Sequence, residues 1–124
     1  MFVALELQYS CMINQNKQLI FYQTENGKCP FQEWLKGLKD KRARALIKAR
    51  LDRLMLGHYG DCKHIVAGIY EVKVAYRPGY RLYFAELNEP NIILLLLGGN
   101  KKTQKQDIEK AKYYWYEFYS RGEI

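Results

Sequence analysis

The alternation of apolar and polar residues predicts a β-hairpin in the middle of the chain. Residues 69–76 alternate between two faces, as a half-buried strand does. Their apolar face holds Tyr70, Val72, Val74 and Tyr76. Residues 80–87 alternate in the same way after the short loop Arg77-Pro78-Gly79, whose glycine suits a backbone of positive φ.

A three-residue loop fixes the expected register of this hairpin, with Lys73 opposite Tyr83 and Glu71 opposite Ala85. The polar face then carries a carboxylate, two cations and a phenol: Glu71, Lys73, Arg81 and Tyr83. This shared surface is a candidate functional site. A solvated sheet face with cross-strand ion pairs is the alternative.

Apolar residues at helical spacing predict three helices. One covers residues 31–38, and a second lies between Asp40, an expected N-cap, and Gly57, an expected C-cap. The third covers residues 103–119 and is rich in aromatic residues, which either dock on the sheet or offer a surface to a partner. Charged residues such as Asp107 are expected to keep this last helix partly solvated.

Two further strands complete the predicted sheet. Residues 18–24 include a short β-branched and aromatic run that is followed by a turn cluster. Residues 92–97 are apolar throughout, which is typical of a central strand, and Gly98-Gly99 is expected to end it. With the hairpin, the chain is predicted to form an α+β domain of four strands and three helices.

The chain of 124 residues is long enough for a single hydrophobic core. We assign residues 18–124 to one domain and residues 1–17 to an N-terminal appendage, with an extra strand at residues 2–9 as the alternative. No apolar run approaches the roughly 20 residues of a membrane span. The N-terminus lacks the basic region of a secretory signal, so we expect a cytoplasmic protein that does not bind membranes.

The three cysteines are far apart and show no zinc or disulfide spacing, so we expect no metal and no cofactor. The formal net charge of +7 favours a polyanion or an acidic protein as partner. Part of this charge lies on the polar face of the second helix, which carries Arg42, Arg44, Lys48, Arg50 and Arg53. A solvated helix face that binds no partner is the alternative interpretation.

A second basic cluster follows the strand at residues 92–97. It consists of Lys101, Lys102 and Lys105 together with the polar residues Asn100 and Gln104, at the expected start of the third helix. Free backbone N–H groups at a helix start favour phosphate. The cluster therefore indicates a phosphate-binding rim beside the polar face of the hairpin.

Four sequence motifs follow one another in the order and spacing of a known family. They are Gly60-Asp61-Cys62-Lys63, Gly68-Ile69-Tyr70-Glu71-Val72-Lys73, Pro78-Gly79-Tyr80-Arg81-Leu82-Tyr83-Phe84, and the run from Leu94 through Gly98-Gly99-Asn100-Lys101-Lys102-Thr103-Gln104 to Asp107-Ile108. Together they resemble the HigB-like addiction-module killer proteins of the RelE/ParE toxin superfamily. The resemblance covers about residues 18–115.

The resemblance implies a curved, mostly antiparallel four-stranded sheet with two N-terminal helices and a C-terminal helix. It implies the toxin of a type II toxin–antitoxin pair, with a cognate helix-turn-helix antitoxin as partner and a homodimer as a further expectation. RelE- and HigB-like members cleave mRNA on the ribosome without a metal ion, which is the first expectation here. A ParE-like inhibitor of DNA gyrase, or an inactive RNA- or protein-binding member, is the alternative.

The same resemblance implies roles for individual residues. Arg81 matches the arginine on the scissile phosphate, and Lys73 matches a lysine that acts on the nucleophile or stabilises charge. Glu71 is a candidate base, and Tyr83 is a candidate for stacking or proton donation. The candidate RNA-binding residues are Lys63, Arg77, Lys101, Lys102, Gln104 and Lys105.

Overall fold

A sheet of five strands forms the centre of the computed structural model, which describes residues 17–66, 68–87, 89 and 91–122. The strands are β1 (Gln18–Phe21), β2 (Cys62–Val66), β3 (Ile69–Val74), β4 (Tyr80–Glu86) and β5 (Ile92–Asn100). The helices are α1 (Pro30–Gly37), α2 (Lys41–Met55) and α3 (Gln104–Ser120), and a 3₁₀ turn at Lys101–Thr103 leads into α3. The predicted α+β class is confirmed, and the alternative strand at 2–9 lies outside the described residues.

The strand order is β1-β5-β4-β3-β2, with β1 parallel to β5 and the other neighbours antiparallel. The prediction of four strands is wrong, because β2 adds a fifth strand at the edge. All five residues of β2 are exposed or only partly buried. An edge strand with little buried surface has no strong apolar alternation, so the sequence pattern did not indicate it.

Both faces of the sheet are covered by helices. Helices α1 and α2 bury Phe31, Ile47 and Leu54 on one face, together with alternate residues of β3 and β4. On the other face α3 buries Ala111 and Phe118 against the sheet. The C-terminal helix therefore docks, and β5 is buried on both faces as its apolar sequence predicts.

Strand β5 continues through two glycines to Asn100, so the prediction that Gly98-Gly99 ends the strand is wrong. A Cβ on Gly98 would overlap the ring of Trp34, and a Cβ on Gly99 would overlap the carboxylate of Asp107. The glycines are strand positions over which α1 and α3 pack closely. Asp107 is consequently only 6% exposed. The sequence-based prediction that this residue is solvated is therefore wrong.

The hairpin of β3 and β4 has the predicted faces in a different register. Lys73 lies opposite Arg81 rather than opposite Tyr83, and every predicted pair is displaced by two residues. The reason is the connection, which spans residues 75–79 instead of three residues. A shift of two residues retains the face of each side chain, so the polar set stays together. Gly79 has a φ of +90°, as predicted for the turn glycine.

Helix α2 begins at the predicted cap. The Oδ1 of Asp40 accepts hydrogen bonds from the backbone N–H groups of Arg42 at 2.9 Å and Ala43 at 3.2 Å. Arg50 does not belong to a solvated helix face, since its guanidinium donates to the carbonyl oxygens of Lys73 at 3.1 Å and Tyr59 at 3.0 Å. This arginine ties α2 to the backbone of β3.

None of the helices in the described part of the chain combines the length and the apolar character that a membrane span needs.

Candidate active site

Strand alternation brings four predicted residues to the face that α3 covers. Lys73 lies opposite Arg81, and Glu71 lies opposite Tyr83. Because the start of α3 packs over this part of the sheet, Glu71 is 4% exposed, Arg81 6% and Tyr83 0%, whereas Lys73 remains exposed. The polar face is therefore a largely buried cluster rather than a solvated sheet surface.

Glu71 accepts hydrogen bonds from two different elements. Its Oε2 accepts from the hydroxyl of Tyr83 at 3.0 Å and from the amide Nε2 of Gln104 at 2.9 Å. Its Oε1 lies 3.8 Å from Nζ of Lys63 and accepts no hydrogen bond from the described residues. A buried carboxylate requires such donors and nearby cations, and this one keeps one oxygen for a further partner.

Arg81 has unused hydrogen-bonding capacity beside this carboxylate. Its Nη1 donates to the carbonyl oxygen of Gly79 at 3.2 Å. Its Nε lies 3.9 Å from Oε2 of Glu71, which is too far for a hydrogen bond, and is buried with no partner among the described residues. A buried N–H without a partner costs about 1–3 kcal/mol.

A small cavity of about 120 Å³ opens between these groups. Its lining is Asp61, Lys63, Glu71, Lys73, Arg81 and Gln104. All except Asp61 are candidate site residues from the sequence. The carbonyl oxygen of Asp61 accepts a hydrogen bond from the backbone N–H of Lys73 at 2.9 Å. The sequence did not indicate Asp61 as a site residue, because the neighbouring strand β2 has no apolar pattern that would place it beside β3.

Tyr83 lies beneath the cavity and does not line it. Burial and the charge and hydrogen bond of Glu71 raise the pKa of its hydroxyl far above the ordinary value, so the phenol remains protonated and donates to that carboxylate. Because the side chain has 0% exposure, an RNA base cannot stack on it in this structure. The stacking role predicted for Tyr83 is therefore inconsistent with its position.

The predicted basic pair, Lys101 and Lys102, lies on the 3₁₀ turn and is exposed. Asn100 caps this turn, because its Oδ1 accepts from the backbone N–H groups of Lys102 at 2.9 Å and Thr103 at 3.2 Å. The backbone N–H of Lys101 donates to the carbonyl oxygen of Gly79 at 3.1 Å, the same oxygen that Arg81 contacts.

Four candidate RNA-binding residues do not line the cavity. Arg77 is exposed in the hairpin connection, and Lys105 is exposed in the first turn of α3. Lys101 and Lys102 are exposed on the 3₁₀ turn, which lies next to the hairpin connection through the backbone contact of Lys101 with Gly79. The structure therefore separates the predicted set into cavity residues and cations outside the cavity.

Comparison with known proteins identifies relatives in sequence and in fold. No protein-family model matches the chain. An uncharacterized protein of Haemophilus influenzae is 44% identical over 82 residues, which are 66% of this chain and 82% of that protein. A solved structure of the Escherichia coli toxin RelE, a double arginine-to-alanine mutant in the free state, has a TM-score of 0.58 at 17% identity, covering 79% of this chain and 97% of RelE. The chain thus belongs to the same family as the Haemophilus protein, and its fold is that of RelE.

Proposed function

We propose that this protein is the toxin of a type II toxin–antitoxin pair and that it cleaves mRNA on the ribosome without a metal ion. The observation that carries the proposal is the shared cavity, in which a buried carboxylate and a buried guanidinium meet two ammonium groups. The likeness of the fold to RelE supports the toxin class. The catalytic roles rest on this chain's own geometry and on the sequence motifs.

The proposed reaction is attack by the RNA 2′-oxygen on the adjacent phosphorus. A new P–O bond forms a 2′,3′-cyclic phosphate, and the bond to the 5′-oxygen breaks. Glu71 accepts the proton of the 2′-hydroxyl through Oε1, the oxygen that is free of hydrogen bonds among the described residues. Lys73, at the rim of the cavity, donates a proton to the departing 5′-oxygen.

Arg81 stabilises the charge that develops on the phosphate oxygens. Its guanidinium lines the cavity and supplies a charge-assisted donor for a non-bridging oxygen. Because the side chain is 6% exposed and held by Gly79, it needs little reorganisation when that charge appears. Lys63, 67% exposed, adds a second cation beside Oε1 of Glu71.

The cations outside the cavity extend this site along an RNA strand. Arg77, Lys101, Lys102 and Lys105 lie on the hairpin connection and the start of α3, where they bind neighbouring phosphates of mRNA or ribosomal RNA. The net charge of +7 also suits an acidic segment of a helix-turn-helix antitoxin. Co-expression with the product of the adjacent reading frame tests this partner. The antitoxin proposal fails if that product neither binds the protein nor relieves growth arrest.

Induced expression in bacteria tests the activity. New mRNA ends, mapped by primer extension, should appear with the wild type and with Arg53→Ala, a variant of an exposed arginine on α2. They should be absent with Arg81→Ala. A plasmid-supercoiling assay from the same cultures examines the alternative function, inhibition of DNA gyrase. Intact messages together with trapped gyrase cleavage complexes would place the protein among gyrase inhibitors. That result would overturn the ribonuclease proposal.

A further inference from the structure

We propose that Gln104 is a positioning residue for Glu71 and not an RNA-binding residue. The inference rests on the proposed function, because it names the group that fixes the base of that reaction. Gln104 is the first residue of α3, and its Nε2 donates to Oε2 of Glu71 at 2.9 Å. The contact joins the start of a helix to the middle of β3.

The hydrogen bonds on Glu71 are unequally divided between its two oxygens. Oε2 accepts from both Gln104 and Tyr83, at 2.9 Å and 3.0 Å, whereas Oε1 faces the ammonium of Lys63, at 3.8 Å. Two donors on one oxygen fix the rotation of the carboxylate. The lone pairs of Oε1 are therefore held in one orientation. A catalytic base needs such a fixed orientation because it must receive a proton from a defined direction.

The helix start that carries Gln104 is itself fixed. The hydroxyl of Thr103 donates to Oδ2 of Asp107 at 2.5 Å and accepts from the backbone N–H of Asn100 at 3.2 Å. Asp107 packs directly on the backbone of Gly99, which lies opposite Arg81 in the ladder of β4 and β5. The same contacts therefore hold Gln104 and Arg81 on two sides of the cavity.

The charged neighbours of Gln104 differ from it in burial and in contacts. Lys101, Lys102 and Lys105 are exposed, and the hydrogen bonds and ion pairs of Glu71 within the described residues involve none of them. Gln104 is half-buried, and its amide N–H is directed to the carboxylate. An RNA-binding role would require that donor to turn away and leave Oε2 with Tyr83 alone.

The test is single-turnover cleavage of ribosome-bound mRNA, measured across a range of toxin concentrations. Gln104→Met retains the length of the side chain and removes its N–H donor. Its maximal rate should fall about tenfold, as expected for loss of a hydrogen bond to a charged group, while the half-saturating concentration stays unchanged. Gln106→Met, the same substitution at an exposed position of the same helix turn, is the matched control and should leave both quantities unchanged.

Tyr83→Phe provides an independent test at the other donor, because it retains the buried ring. It should also lower the maximal rate without changing the half-saturating concentration. The double variant should lose less maximal rate than the product of the two single losses, because both donors act on one oxygen. Equal thermal unfolding temperatures of Gln104→Met and wild type exclude misfolding as the cause.

Two results would overturn the inference while leaving the proposed function intact. One is a raised half-saturating concentration with an unchanged maximal rate in Gln104→Met, which would make Gln104 an RNA contact. The other is wild-type behaviour of that variant in both parameters. Absence of cleavage by the wild type itself would overturn the proposed function, and this inference with it.

Discussion

Lys73 and Arg81 lie directly opposite each other on β3 and β4, yet Lys73 is exposed while Arg81 is 6% exposed. Like charges opposite each other in a sheet destabilise it. Glu71 offsets part of that repulsion, because its carboxylate lies 3.9 Å from Nε of Arg81. The hairpin thus retains an unfavourable pair of cations, which is understandable if both bind one phosphate.

Removing the charge of Lys73 should therefore have opposite effects on stability and activity. We expect Lys73→Met to raise the free energy of unfolding by about 0.2–1 kcal/mol. The same variant should lower the rate of RNA cleavage about a hundredfold, the low end for loss of a general acid or base. Urea denaturation and single-turnover cleavage measure the two quantities. Lys48→Met, at an exposed position of α2, is the control and should change neither.

Gly98 is expected to tolerate no side chain. A Cβ there would overlap the ring of Trp34, so Gly98→Ala should lower the free energy of unfolding by about 1–3 kcal/mol, the usual cost of overpacking. Gly37, at the end of α1, would carry a Cβ with no atom within 4 Å among the described residues, and Gly37→Ala should raise the free energy of unfolding by about 0.5–1 kcal/mol. Equal urea midpoints for the two variants would contradict the packing described for Gly98.

The cap of α2 predicts a pH dependence of stability. A hydrogen bond from Tyr76, followed by those from the backbone at Ala43 and Arg42, lowers the pKa of Asp40. Since the folded-state pKa lies below the unfolded one, the stabilisation is present above the unfolded value and is lost as the pH falls through the folded value. Asp40→Asn retains a capping oxygen without the charge. Its stability deficit relative to wild type should shrink as the pH falls below about 4, and a constant deficit would contradict this role.

Cys62, the first residue of β2, is expected to be unreactive in the folded protein. Burial, with the nearby charge of Glu86, raises the pKa of its thiol to about 11. At pH 8 it should react with iodoacetamide about 200-fold more slowly than an unperturbed thiol, because so little of it is thiolate. Mass-spectrometric mapping of labelled peptides measures this rate. In urea the difference should disappear, and fast labelling of the native protein would contradict the burial of this side chain.

The sequence predicts the helices, the central strand and both hairpin strands because their burial follows a regular period. The apolar run of β5 follows from its packing against apolar residues on both faces. The alternation of β3 follows because one face joins the apolar core while the other carries the buried polar residue Glu71 and the exposed Lys73. The edge strand β2 has no buried residue and therefore no such pattern. The hairpin register depends on the conformation of residues 75–79, which alternation alone does not specify.

The sequence predicts which residues share the candidate site but not the contacts between them. Period-two alternation correctly places Glu71, Lys73 and Arg81 on one face. Their burial depends on where α3 docks, which in turn depends on Gly99 and Asp107, residues interpreted from the sequence as a strand end and a solvated charge. The hydrogen bond of Gln104 to Glu71 follows from that docking and has no signature in the local sequence.

The central claim is that the cavity around Arg81 and Glu71 cleaves RNA, and ribosomes carrying a defined mRNA test it most directly. Purified wild-type protein, without added metal beyond that needed by the ribosome, should cut the bound message and leave a 2′,3′-cyclic phosphate at the new end. Arg81→Ala, with Arg53→Ala as the control, should lose at least about a hundredfold in rate, as expected when a donor to developing charge is removed. Equal rates for Arg81→Ala and wild type, or no cleavage by either, would contradict the claim.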